Sequence, residues 1–109
     1  MAEWLAAARV RDKRVITSAA TLVEVAHPGI KWAALQWTLS RVNVEPVTES
    51  IARHAAALLR DAGLHGHKYA IDAMLSATAL AASRPVMILT SDPQDIRTLC
   101  GEQVTVVKI

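Results

Sequence analysis

The stretch Val86-Met87-Ile88-Leu89-Thr90-Ser91-Asp92-Pro93-Gln94-Asp95-Ile96 decides the fold. Val86–Thr90 is a continuous apolar run with no polar alternation, which predicts a strand covered on both faces, as in a parallel sheet. Asp92-Pro93-Gln94-Asp95 predicts a helix start. Proline at the first helical position has a preset φ and no amide hydrogen to lose, and Asp92 is a good capping residue. A buried strand running directly into a helix is part of a β–α–β unit, because parallel strands need crossovers.

The same alternation recurs on both sides. Val15-Ile16-Thr17 reads as a short buried strand. Ser18 can cap a helix over residues 19–26, which His27-Pro28-Gly29 stops. A helix is predicted over 30–40, then a strand over 42–47 that Pro46 pushes to a sheet edge. The clearest helix carries Ile51, Ala55, Leu58, Leu59 and Ala62 at i, i+4, i+7, i+8 and i+11, and Gly63 ends it. Further helices are predicted over 2–11 and 68–82, and a closing strand over 104–109. Strands separated by helices predict an α/β fold: a three-layer α/β/α sandwich on a parallel sheet.

Composition bounds the function. The 109 residues make one domain, 1–109, and 52% apolar residues exclude a disordered chain. The single cysteine, Cys100, excludes a disulfide framework and a multi-cysteine zinc site. No run of about 18 apolar residues spans a membrane. The start, Met1-Ala2-Glu3-Trp4, lacks the pattern of a signal peptide, so a cytoplasmic location is expected. A net charge of +2 does not announce a nucleic-acid binder.

Most of the ten acids read as solvated surface. Three stand apart. Glu24 lies in Thr21-Leu22-Val23-Glu24-Val25-Ala26, and Asp72 lies in Tyr69-Ala70-Ile71-Asp72-Ala73-Met74-Leu75, both apolar surroundings. Asp92 directly follows the decisive strand, where ligand sites of open α/β sheets lie. Each has an ordinary alternative: a solvated helix stripe for Glu24 and Asp72, a helix cap for Asp92. If the fold gathers them, a cation must join them, since like charges at close range do not all stay ionised. An oxygen-only donor set points to Mg²⁺ or Mn²⁺ and to phosphoryl chemistry.

Other features are less specific. His65, His67 and Lys68 precede the Asp72 helix, and Lys68 is the best candidate there for phosphate contact. Arg9, Arg11, Lys13 and Arg14 form a basic segment that reads either as a solvated helix end or as a contact for a phosphate backbone. Trp4, Trp32 and Trp37 are expected in core or dimer contacts rather than on bases. His54 reads as solvent-facing and His27 as a helix-end residue. Cys100 has no histidine partner nearby in sequence, which argues against nucleophilic catalysis.

The segments from Val15 to Val25, from Tyr69 to Ala73 and from Ile88 to Ile96 together resemble the PIN-domain ribonucleases, in particular VapC-like toxins of type II toxin–antitoxin systems. The resemblance implies a metal-dependent endoribonuclease acting on RNA, best in single-stranded loops, with Mg²⁺ or Mn²⁺ as cofactor. It implies that Glu24, Asp72 and Asp92 are the metal-holding catalytic acids. Thr90 and Ser91 match small polar residues beside the last acid, and Asp95 lies one helical turn on as a supporting group. Lys68, His67 and Arg14 would contact RNA. An antitoxin protein and a homodimer are the implied partners, and no membrane. The family's first strand, which ends in the first metal-binding aspartate, has no counterpart here, so the expected fold is a PIN-like sandwich with its first strand absent. That would leave two neighbouring strands unpaired, and three explanations compete: the sequence is a shortened reading of its gene, another chain or a swapped segment fills the gap, or the remaining strands close up into a smaller sheet with no nuclease site. The competing function is a catalytically impaired PIN-like protein that dimerises and binds an antitoxin or nucleic acid.

Overall fold

The computed structural model describes residues 14–26, 28–83, 86–90 and 92–108. Its centre is the decisive strand. β3 (Val86–Thr90) pairs in parallel with β1 (Arg14–Ser18) on one side and β4 (Thr105–Lys108) on the other. β2 (Asn43–Glu45) lies beyond β1, giving the order β2-β1-β3-β4. Val86, Met87 and Ile88 are all buried, as an unalternating apolar run between two neighbours should be. Pro46 follows β2 directly, and β2 is an edge strand, in keeping with its missing donor.

The helices are α1 (Ala19–Glu24), α2 (Trp32–Leu39), α3 (Glu49–Ala62), α4 (Gly66–Ala81) and α5 (Pro93–Cys100). Ser18 caps α1, its Oγ accepting from the Ala20 amide at 3.1 Å. α1 ends at Glu24, two residues before the predicted stop, with Val25 as its C-cap. The Thr48 hydroxyl accepts from the Ile51 amide at 3.2 Å and starts α3, which Gly63 closes at a φ of 68°. α4 starts at Gly66, before the predicted Lys68, with Tyr69 off helical geometry at φ −112° and ψ 15°.

The sheet and helices share two apolar clusters. Ile16, Val86 and Ile88 of the sheet meet Leu75 and Ala79 of α4 and Ile96 and Cys100 of α5. Ala73 and Ala77 of α4 meet Ala55 of α3 and Leu99 of α5. Alanines at these crossings let the helix backbones approach closely. The result is a parallel sheet flanked by helices, an α/β sandwich.

One alternative is met and one expectation changes. The strands on either side of the absent one close up into a smaller sheet. Arg14, Val15 and Ile16 pair directly with Val86, Met87 and Ile88, so their backbone groups are satisfied within the chain. Trp32 and Trp37 are not in the core: they are 57% and 44% exposed on α2, none of whose residues is buried, so of the expected core or dimer contacts the core role does not hold for them. The expected helix over 2–11, with Trp4 and the basic residues Arg9, Arg11 and Lys13, lies outside the described residues, as does His27. Among the described residues no helix is long and apolar enough to cross a membrane.

Candidate metal centre

The register of β1 on β3 brings Ser18 level with Thr90, so α1 and α5 both leave from the carboxyl edge of the sheet. Thr90 is buried, and its Oγ1 accepts the Asp92 amide hydrogen at 3.0 Å. This bond turns the chain from strand into helix. Asp92 occupies the N-cap position of α5, but its side chain makes no cap hydrogen bond. The expectation that its carboxylate caps the helix is therefore corrected. The Asp92 carboxylate faces other acids instead.

Asp95 lies in the first turn of α5, three residues on, the spacing that puts two side chains on one helix face. Asp72 lies in the second turn of α4, next to Ala73, through which α4 packs. Asp72, Asp92 and Asp95 each offer one oxygen, and the three oxygens lie within 4.8 Å of one another. Opposite ligands of a Mg²⁺ shell at about 2.1 Å are about 4.2 Å apart, so small side-chain rotations suffice for these donors to share an ion.

Glu24, the last residue of α1, is exposed and stands outside that spacing. Its charge still reaches Asp72. Burial, then Glu24, then Asp95 and Asp92 push the Asp72 carboxyl up from its ordinary 3.8 to about 6. All four causes disfavour a bare carboxylate, and a bound cation opposes each of them. Four acids from three segments thus bear on one point. The all-oxygen donor set fits a hard divalent ion.

The structure brings together two of the three acids expected from the sequence, Asp72 and Asp92, and adds Asp95 to them. The signal for Asp95 was its i+3 spacing from Asp92, which also reads as ordinary helix-start chemistry. Ser91 lies outside the described residues. Arg14 opens β1, and its side chain is likewise not described. Lys68 and His67 are exposed in the first turn of α4, and the Lys68 Nζ lies 5.3 Å from the Tyr69 ring centroid. His65 precedes that helix and is also exposed. Cys100 is buried, its Sγ donating to the Ser76 carbonyl at 3.7 Å, and burial pushes its thiol up, away from thiolate chemistry.

Replacing Thr90 with valine keeps the shape and removes the hydroxyl that accepts from Asp92. A loss of about 1–2 kcal/mol is expected in urea denaturation, for one lost and partly buried hydrogen bond. Calorimetric Mn²⁺ affinity should fall with it; an unchanged affinity would show that the turn is held without Thr90.

No curated protein and no solved structure matches the chain significantly. A family model described as PIN domain matches residues 1–99. With that match spanning nearly all of its length, the chain belongs to the PIN domain family.

Proposed function

We propose that this chain is a metal-dependent endoribonuclease that hydrolyses RNA phosphodiester bonds, of the VapC-like toxin kind. PIN domains are generally nucleases and typically use divalent metal ions. The observation that carries the reading is the convergence of Asp72, Asp92 and Asp95 at the carboxyl edge of the sheet, with Glu24 near enough to act on Asp72.

In this reading Asp72, Asp92 and Asp95 hold Mg²⁺ or Mn²⁺, and Glu24 adds negative charge from the side of α1. The bound ion supplies charge neutralisation at the phosphate and a more acidic water. The residues themselves set the conditions. Asp72 holds a proton on its carboxyl below pH about 6 and must lose it to bind a cation. Thr90 fixes the backbone turn that carries Asp92, and Ser91 is assigned a supporting role. Lys68, His67 and Arg14 are assigned to the RNA backbone, where they fix its position without reading bases. Single-stranded loops are the best-suited targets, because their backbones can reach acids at a sheet edge. The toxin reading adds a cytoplasmic location, an antitoxin that covers the acids, and a homodimer.

The test is cleavage of a single-stranded RNA with Mn²⁺ or Mg²⁺, together with calorimetric Mn²⁺ titration. Cleavage and binding are expected. Below pH about 6 the affinity should fall by about tenfold per pH unit, because one proton on Asp72 competes with the ion. Absence of both cleavage and Mn²⁺ binding would leave the non-catalytic interaction protein as the reading of this chain.

A further inference from the structure

α2 and its flanks, residues 30–42, carry two cations, Lys31 and Arg41, and no carboxylate. None of the helix residues is buried. One side of α2 is apolar and inward: Leu35, Thr38, Leu39 and, just past the helix, Val42 line a small hollow against β1 and α1. Trp37 is not on that side. At about 100° per residue it stands about 160° from both Leu39 and Leu35, so it points outward.

Its surroundings are not those of an apolar docking patch. Ala33, Ala34, Ser40 and Arg41 share its face and are all exposed. The Arg41 guanidinium lies over the indole, 5.3 Å from the ring centroid. The feature is therefore an exposed indole, stacked with a cation, among small and polar residues of its own helix face, none of them acidic. Aromatic rings with stacked guanidinium groups are the elements that bind single-stranded nucleic acid without reading sequence. The charge balance favours a polyanion over a protein surface, because the centre of a protein interface is depleted of charge.

We propose that Trp37 and Arg41 form a stacking platform for a base of single-stranded RNA, with Arg41 and Lys31 offering positive charge to the adjoining phosphates. The proposal rests on the reading of the acids as an RNA-cleaving centre and names a place, outside that centre, that holds the strand. Trp32 lies about 140° from Trp37 around the axis, so one base does not stack on both rings.

The test is anisotropy of a labelled 2′-O-methyl oligoribonucleotide, which is not cleaved, titrated with the full chain in EDTA. Trp37→Ala should weaken binding roughly tenfold and Trp37→Leu equally, whereas Trp37→Phe should stay within about threefold, because stacking needs an aromatic face. Arg41→Gln should weaken binding and flatten the dependence of log K on log salt by about 0.7, one phosphate contact on a single strand. Circular dichroism checks that the variants fold. Binding by Trp37→Ala or Trp37→Leu equal to the wild type overturns the platform, as does failure of the wild-type chain to bind. A change in sedimentation of Trp37→Ala with RNA binding intact also overturns it and makes Trp37 a protein contact. Loss of the nuclease reading looks different: Trp37-dependent binding persists while no cleavage occurs with Mn²⁺.

Discussion

Asp72→Asn is expected to lower RNA cleavage at least about a hundredfold while making the metal-free protein more stable at neutral pH. The first effect follows, on the proposed function, from removing a charged carboxylate at the point where three of them meet; loss of one group that stabilises transition-state charge typically costs about 10²–10³ in rate. The second follows from the direction of the Asp72 shift. Its carboxyl titrates near 6 in the folded protein against 3.8 ordinarily, so the folded state holds the proton more tightly than the unfolded one. The stabilisation is fully present below pH about 3.8 and is lost as pH rises through about 6. At pH 7 the wild type carries a half-buried charge facing Glu24, Asp95 and Asp92, and the asparagine variant does not. Because solvent still reaches the group, the gain is about 1 kcal/mol.

Urea denaturation at pH 4 and pH 7 separates these effects. The variant should exceed the wild type at pH 7, and the two should converge at pH 4. Saturating Mn²⁺ should reverse the order at pH 7, because an ion at a hundred times its Kd adds about 2.7 kcal/mol to a chain that binds it. A variant that is less stable than the wild type at pH 7 without metal would show that Asp72 serves packing and not charge.

Ile88→Ala is expected to cost about 2–5 kcal/mol, a large share of the roughly 5–15 kcal/mol that holds a domain together. Ile88 is wholly buried in β3, between β1 and β4, in the cluster with Ile16, Leu75, Val86 and Ile96. The truncation removes three carbons from a place where strands on both sides limit relaxation. Urea denaturation measures the loss. Under strongly folding conditions Mn²⁺ affinity should stay near that of the wild type, since the Thr90 to Asp92 turn lies beyond the substitution. A loss below about 1 kcal/mol would mean that the sheet closes over the cavity.

Much of this was legible in local sequence, for local reasons. Val86–Thr90 reads as a buried strand because alternation is missing, and it is one. The stripe from Ile51 to Ala62 reads as a helix, Gly63 as its end and Pro93 as the start of another, since each depends on backbone preferences within a few residues. The PIN resemblance lay in the order of three short segments, and Asp72 and Asp92 were visible as acids where burial or position made them unusual.

What tertiary structure alone decided is where those side chains meet. Asp92 could cap a helix or face other acids; the alanine-lined crossing of α4 on α5, which brings Asp72 to it, settles that. Asp95 joins the tight set and Glu24 stands off, because one shares the first turn of α5 and the other ends a six-residue helix on another strand. The closed pairing of β1 with β3, and the outward Trp37, likewise depend on partners distant in sequence. Periodicity names the faces of each element, but spacing between charges is set by which faces pack, and packing is a property of the whole chain.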